Sequence, residues 1–172
     1  MNNNLPGKIA LFLSVTFVSQ LSLSSDPIRL ESKFDPNEIS WVKKKGSASI
    51  EGEAYIKLED GTYKGCSGFN IELLPVSDYS SERIYKTYGS NDSGQILISE
   101  NPPKFTPDAK EYHDLVLKTK CSENNKFSFS NVHPGNYYVM AFIIWGENQG
   151  GGVMKRVTVD STDEKTTVLR VE

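Results

Sequence analysis

Between Ala48 and Leu58 every second residue is small or apolar: Ala48, Ile50, Gly52, Ala54, Ile56 and Leu58 alternate with Ser49, Glu51, Glu53, Tyr55 and Lys57. A period of two belongs to a half-buried β-strand, whose successive side chains point to opposite faces. The Asp60-Gly61 turn pair closes the run. Phe69, Ile71 and Leu73 then alternate with Asn70, Glu72 and Leu74 until Pro75 stops the ladder. The pattern returns over 114–121, over 125–132 with Phe127 and Phe129 against Ser128 and Ser130, and in "VMKRVTV" and "TTVLRV" near the end. No segment requires a long helix. Seven to eight short strands with turn signals between them predict an all-β fold, a β-sandwich.

One run departs from strict alternation. In "NVHPGNYYVMAFIIW", residues 131–145, both faces are apolar, as expected of a strand lying between two covered surfaces. Val139, Ala141 and Ile143 are expected to face one layer, and Met140, Phe142 and Ile144 another element. Tyr137, Tyr138 and Trp145 would keep their polar tips in water. His133-Pro134-Gly135-Asn136 reads as a type II turn with positive φ at Gly135. "GENQGGG", residues 146–152, reads as a flexible turn. Residues 25–46 form an extended lead-in, with Phe34, Ile39 and Trp41 pinned on the domain surface. Residues 76–112 are an insertion. "SDYSSERIYKTYG" suits a short helix capped by Ser77 or Asp78 and stopped by Gly89, "GQILIS" a brief strand, and the proline-rich remainder an irregular loop.

The chain of 172 residues is 37% apolar, enough for one modest core, and its formal charge of −3 offers no general attraction for nucleic acid. Lys43-Lys44-Lys45 reads as a solvated linker. Residues 9–18, "IALFLSVTFV", are an apolar stretch of signal-peptide length, with small residues at Ser22 and Ser24. Residues 1–24 are therefore expected to be removed near Ser24, giving a secreted or periplasmic protein that meets the membrane only transiently. An uncleaved anchor is the alternative. Export makes Cys66 and Cys121 an expected disulfide, worth about 4 kcal/mol by loop-closure entropy. A zinc site adding His113 and His133 is the competing reading, and it lacks the close ligand pairs such sites use.

No catalytic constellation stands out. His133 reads as a solvated turn residue, and His113, within reach of Asp108 or Asp114, has no nucleophile motif beside it. No cofactor or metal is implied. The aromatic residues are the stronger signal, because exposed rings with hydrogen-bonding tips suit sugars and protein interfaces alike. Tyr55 and Tyr63 read as surface residues, and Tyr79, Tyr85, Tyr88 and Tyr112, with Trp145, form a possible binding patch around the insertion.

Gly52 in the first strand, "GFNIELLPV", "NNKFSFSNV" and the F-x-F-x-x-V-x-P-G-x-Y series from Phe127 to Tyr137 together resemble the carboxypeptidase regulatory-like domain. The resemblance covers residues 47–74 and 115–171 and implies a Greek-key, transthyretin-like (prealbumin-like) β-sandwich within a domain spanning 47–172. Asn125-Lys126 stands where that family has glycine, and asparagine adopts the left-handed conformation less readily. The family's modules are accessory, and the resemblance implies no catalysis here. The similar hydroxyisourate hydrolases end in Tyr-Arg-Gly-Ser, whereas this chain ends Leu169-Arg170-Val171-Glu172. The expected function is a non-catalytic exported accessory or interaction module that binds a protein partner at the cell envelope. A carbohydrate-binding module using surface tyrosines is the alternative, since related folds bind glycans, and a hydrolase is a distant third.

Overall fold

A computed structural model describes residues 26–98 and 102–160, and the backbone of a final strand over 164–169. The expected leader, residues 1–24, lies outside the described residues. The strands are β1 (Ile28–Arg29), β2 (Ala48–Lys57), β3 (Tyr63–Gly65), β4 (Asn70–Pro75), β5 (Ser93–Ile98), β6 (Phe105–Thr106), β7 (Leu117–Lys120), β8 (Lys126–Val132), β9 (Gly135–Trp145), β10 (Gln149–Val159) and β11 (Glu164–Leu169). Helices α1 (Asp78–Tyr88) and α2 (Lys110–His113) lie in the insertion. One sheet runs β5-β10-β9-β4-β7. The other is built on β2, with β11 parallel along one flank and β8 and β3 antiparallel along successive parts of it. The expected β-sandwich is present, with more strands than the seven or eight that alternation reveals.

Alternation in β2 becomes burial: Ala48, Ile50, Ala54 and Ile56 are inside, and Ser49, Glu51 and Lys57 are not. These residues join Ile71, Leu73, Phe127, Phe129, Val139, Ala141, Ile143 and Val153 in the core between the sheets. Two links hold the sheet margins together. Cys66, just past β3, is bonded to Cys121, just past β7. The side-chain amide of Gln95 in β5 donates to the Lys57 carbonyl at 2.8 Å and accepts from the Lys57 amide at 3.0 Å, acting as a surrogate strand partner. Asn125 takes the left-handed conformation (φ 60°) that its place before β8 requires, and its side chain accepts a hydrogen bond from the Ser67 amide.

The insertion forms a third layer. α1 starts at Ser77, whose hydroxyl accepts from the Ser80 amide, and stops at Gly89 in the left-handed conformation. It covers the outer face of the five-stranded sheet, where Leu74, Tyr138, Met140 and Met154 pack with Tyr79, Ile84, Tyr112 and the lead-in residue Leu30. β9 is apolar on both faces because both are covered. The lead-in docks on α1: the Glu82 carboxylate accepts from the amides of Glu31 and Ser32, and Lys86 donates to the Arg29 carbonyl.

Five local expectations need correction. Tyr137 and Tyr138 are fully buried, and their hydroxyls are matched by the His133 carbonyl and by Ser81 respectively. Ile144 is 62% exposed rather than covered by another element. Ile39 lies in the core rather than on the surface. Gly135 does not adopt positive φ, and its small size is needed because the Trp41 ring occupies the space of a Cβ. Gly150, Gly151 and Gly152 are not a turn but the first half of β10, paired with both β9 and β5.

Candidate functional site

Three connections meet at one end of the sandwich: the β2–β3 turn, the end of β5, and the β9–β10 hairpin. Asp60 shapes the first by accepting from the Thr62 amide (2.9 Å) and hydroxyl (2.7 Å), while Gly61 supplies positive φ. The same Thr62 bonds hold the Asp60 carboxyl below its ordinary pKa, so it stays ionised. Gly146, also at positive φ, turns the hairpin immediately after Trp145.

Between these connections lies an open groove of about 450 Å³, bounded by Leu58, Glu59, Asp60, Leu97, Trp145 and Gln149. It shares Ile98, Gln149 and Gly150 with a neighbouring hollow of about 370 Å³, which Ile144, Glu147 and Asn148 also line. The half-buried Trp145 is anchored in the sandwich core and approaches the bare backbone of Gly151. Carboxylates and side-chain amides therefore ring an indole and two exposed aliphatic side chains, Leu97 and Ile144. Among the described residues, no lysine, arginine or histidine lines either hollow. Such a surface offers an apolar platform and hydrogen-bond acceptors to a neutral, hydroxyl-rich ligand.

The aromatic patch expected around the insertion is taken apart by the third layer. Tyr79 and Tyr112 are buried beneath α1 and α2, where they stack edge-on with each other and with Phe34. The Tyr79 hydroxyl donates to the Pro107 carbonyl and accepts from Arg83 and the Ala109 amide, so it holds the insertion in place. Tyr88 is largely covered, and burial raises its pKa, with Glu72 adding to the effect. Only Tyr85 stands well out from α1, at 58% exposure. Trp145 lies in the other site, away from this group. Tyr63 is exposed and meets Tyr55 edge-on.

The polar candidates also find structural partners. His113 pairs with Asp108 at 2.9 Å rather than with Asp114, and the His133 ring bonds the Pro134 carbonyl. Cys66 and Cys121 are joined, and no cluster with metal-ligating composition occurs among the described residues. The carboxylates and amides of the groove carried no sequence signal. Glu59, Asp60, Glu147 and Gln149 read as ordinary turn residues, and only the convergence of two hairpins brings them beside Trp145.

No family model and no curated protein matches the sequence. The fold has a solved counterpart. It is similar to a crystal structure of a candidate carbohydrate-binding protein from Pseudomonas aeruginosa, with a TM-score of 0.65 and 20% identity over 80% of this chain and 97% of that one. At that identity the likeness establishes a shared fold.

Proposed function

We propose that this chain is a non-catalytic carbohydrate-binding module of an exported protein, and that the sugar lies in the groove beside Trp145. The observation that carries the reading is the indole ringed by Glu59, Asp60 and Gln149 at the open end of a sandwich. The carbohydrate-binding role suggested for the structural neighbour supports it. So does the disulfide, which is consistent with export. The exposed Ile144 and Leu97 favour a second reading, a protein partner seated over the same end.

Affinity electrophoresis or a glycan array with neutral cell-wall polysaccharides tests the proposal. Trp145→Ala is expected to weaken retention at least about tenfold, roughly 1.4 kcal/mol, while Tyr85→Ala leaves it unchanged. Absence of retention on every glycan, or retention indifferent to Trp145, would overturn the sugar reading.

A further inference from the structure

The hollow of about 370 Å³ that adjoins the Trp145 groove is shaped by strand register. Across β5, β10 and β9, Ile98, Gly150 and Ile144 stand side by side, and so do Leu97, Gly151 and Ile143 one step along. Ile143 is buried in the core between the sheets, so Leu97 shares the inner face with it. The pleat then puts Ile98, Gly150 and Ile144 on the outer face, together with Phe142 and Gly152. Gly150 leaves a bare strip of backbone between two isoleucine side chains. The three atoms nearest to a Cβ there all belong to Ile143 and Ile144 of β9. Two residues further the strip is closed, because a Cβ at Gly152 would lie 2.7 Å from the Tyr88 hydroxyl and 2.9 Å from a Phe142 ring carbon. The result is a short apolar trough, about 7 Å of strand from its open end to its stop. Pro102 and Phe142 complete its apolar lining.

The mouth of the trough is polar. Asn148 and Gln149, exposed residues of the β9–β10 hairpin, line it with side-chain amides that both donate and accept hydrogen bonds. Glu147 is the one ionisable side chain lining it among the described residues, and the adjoining groove adds Glu59 and Asp60. Carboxylates without a cation disfavour an anionic ligand. The stop at Gly152 leaves no room for a long acyl chain. A methyl group carried on an amide fits both parts, with the methyl in the trough and its N–H and C=O facing the two side-chain amides.

We propose that this hollow seats the acetamido substituent of a neutral N-acetylhexosamine unit, its methyl lying over Gly150 between Ile98 and Ile144, while another ring of the same oligosaccharide lies on Trp145. The hollow and the groove share Ile98, Gln149 and Gly150, so one sugar chain reaches both. This assignment rests on the sugar reading of the Trp145 groove and narrows it to N-acetylated glycans.

The probes are β-1,4-linked tetramers of N-acetylglucosamine and of glucose, both neutral and alike except that an acetamido group replaces a hydroxyl, titrated calorimetrically into the protein. The N-acetylated tetramer should bind about tenfold more tightly, the worth of one buried methyl and one hydrogen bond. Gly150→Ala places a methyl in the trough and should erase that preference. Ile144→Ser, at an exposed position, should reduce it about threefold. Trp145→Ala should weaken both tetramers alike. Equal binding of the two tetramers, or a preference that survives Gly150→Ala, overturns the acetamido assignment and leaves the sugar reading standing. Binding of neither tetramer also overturns it, and the sugar reading falls with it only if every other glycan fails to be retained as well.

Discussion

The triglycine that opens β10 allows a graded test of the layered architecture. Both faces of this strand are covered, and an added methyl meets a different obstacle at each position. At Gly150 the nearest atom is the Ile143 carbonyl oxygen at 3.1 Å. At Gly151 a Cβ would lie 2.6 Å from the Ile96 carbonyl oxygen and 2.9 Å from Cδ1 of Ile56 in the opposite sheet. At Gly152 it would meet the Tyr88 hydroxyl at 2.7 Å and a Phe142 ring carbon at 2.9 Å. Alanine in a strand gains about 0.5–1 kcal/mol over glycine from backbone entropy, whereas overpacking typically costs about 1–3 kcal/mol. The balance differs by site. Gly150→Ala should be near neutral. Gly152→Ala should cost about 1 kcal/mol, because the ends of two side chains can give way. Gly151→Ala should cost about 2 kcal/mol, because a sheet carbonyl cannot. With a urea m-value of about 2 kcal/mol/M, the last change lowers the unfolding midpoint by about 1 M at constant m. Gly152→Ala repeated in a Tyr88→Phe background should cost less, giving a coupling of at least about 0.5 kcal/mol. If Gly151→Ala is as stable as the unmodified chain, or if all three glycines behave alike, β10 is not packed between two layers.

Two further predictions concern cross-links outside the binding sites. Cys66 and Cys121 are 55 residues apart and both buried. Reduction, or joint replacement by alanine, should lower unfolding free energy by about 4 kcal/mol, and two free thiols by mass spectrometry in non-reduced material would refute the pairing. Desolvation pushes the Glu82 carboxyl up, but the amides of Glu31 and Ser32 and the Lys86 hydrogen bond outweigh it and bring its pKa to about 2. A carboxyl depressed on folding contributes stability that is complete above the unfolded value, near 4.5, and is lost as the pH falls towards 2. The unmodified chain should therefore lose stability between about pH 5 and 2 more steeply than Glu82→Gln, with faster proteolysis near residues 28–34. Parallel pH profiles for the two proteins would show that the lead-in is not held by this carboxylate.

The insertion illustrates how polar bonds and apolar burial divide the work. Its capping residues set where α1 begins and ends, but an 11-residue helix has little stability of its own in water. What fixes it is the face that β4, β9 and β10 leave uncovered, together with the Tyr79 hydroxyl, which ties α1 to the loop at Pro107 and Ala109. Without that layer Met140 and Met154 would face water. The apolar outer face of β9 is thus the reason the insertion exists in folded form.

Much of this protein is determined locally. Alternation in β2, β4 and β8 specifies which side chains face inward, because the pleat assigns successive residues to opposite faces wherever the strand pairs. Ser77 and Gly89 mark α1 through cap chemistry that spans a few residues, and the doubly apolar β9 announces two coverings without saying what supplies the second. The rest depends on partners distant in the chain. Tyr79 and Tyr112 look like surface aromatics until α1 folds over the sheet. Gly150–Gly152 look like a turn until β5 and β9 flank them. The groove at Trp145 exists only because two hairpins end side by side. Periodicity records which way a side chain points relative to its own backbone; only the packing of layers decides whether water or protein lies in that direction.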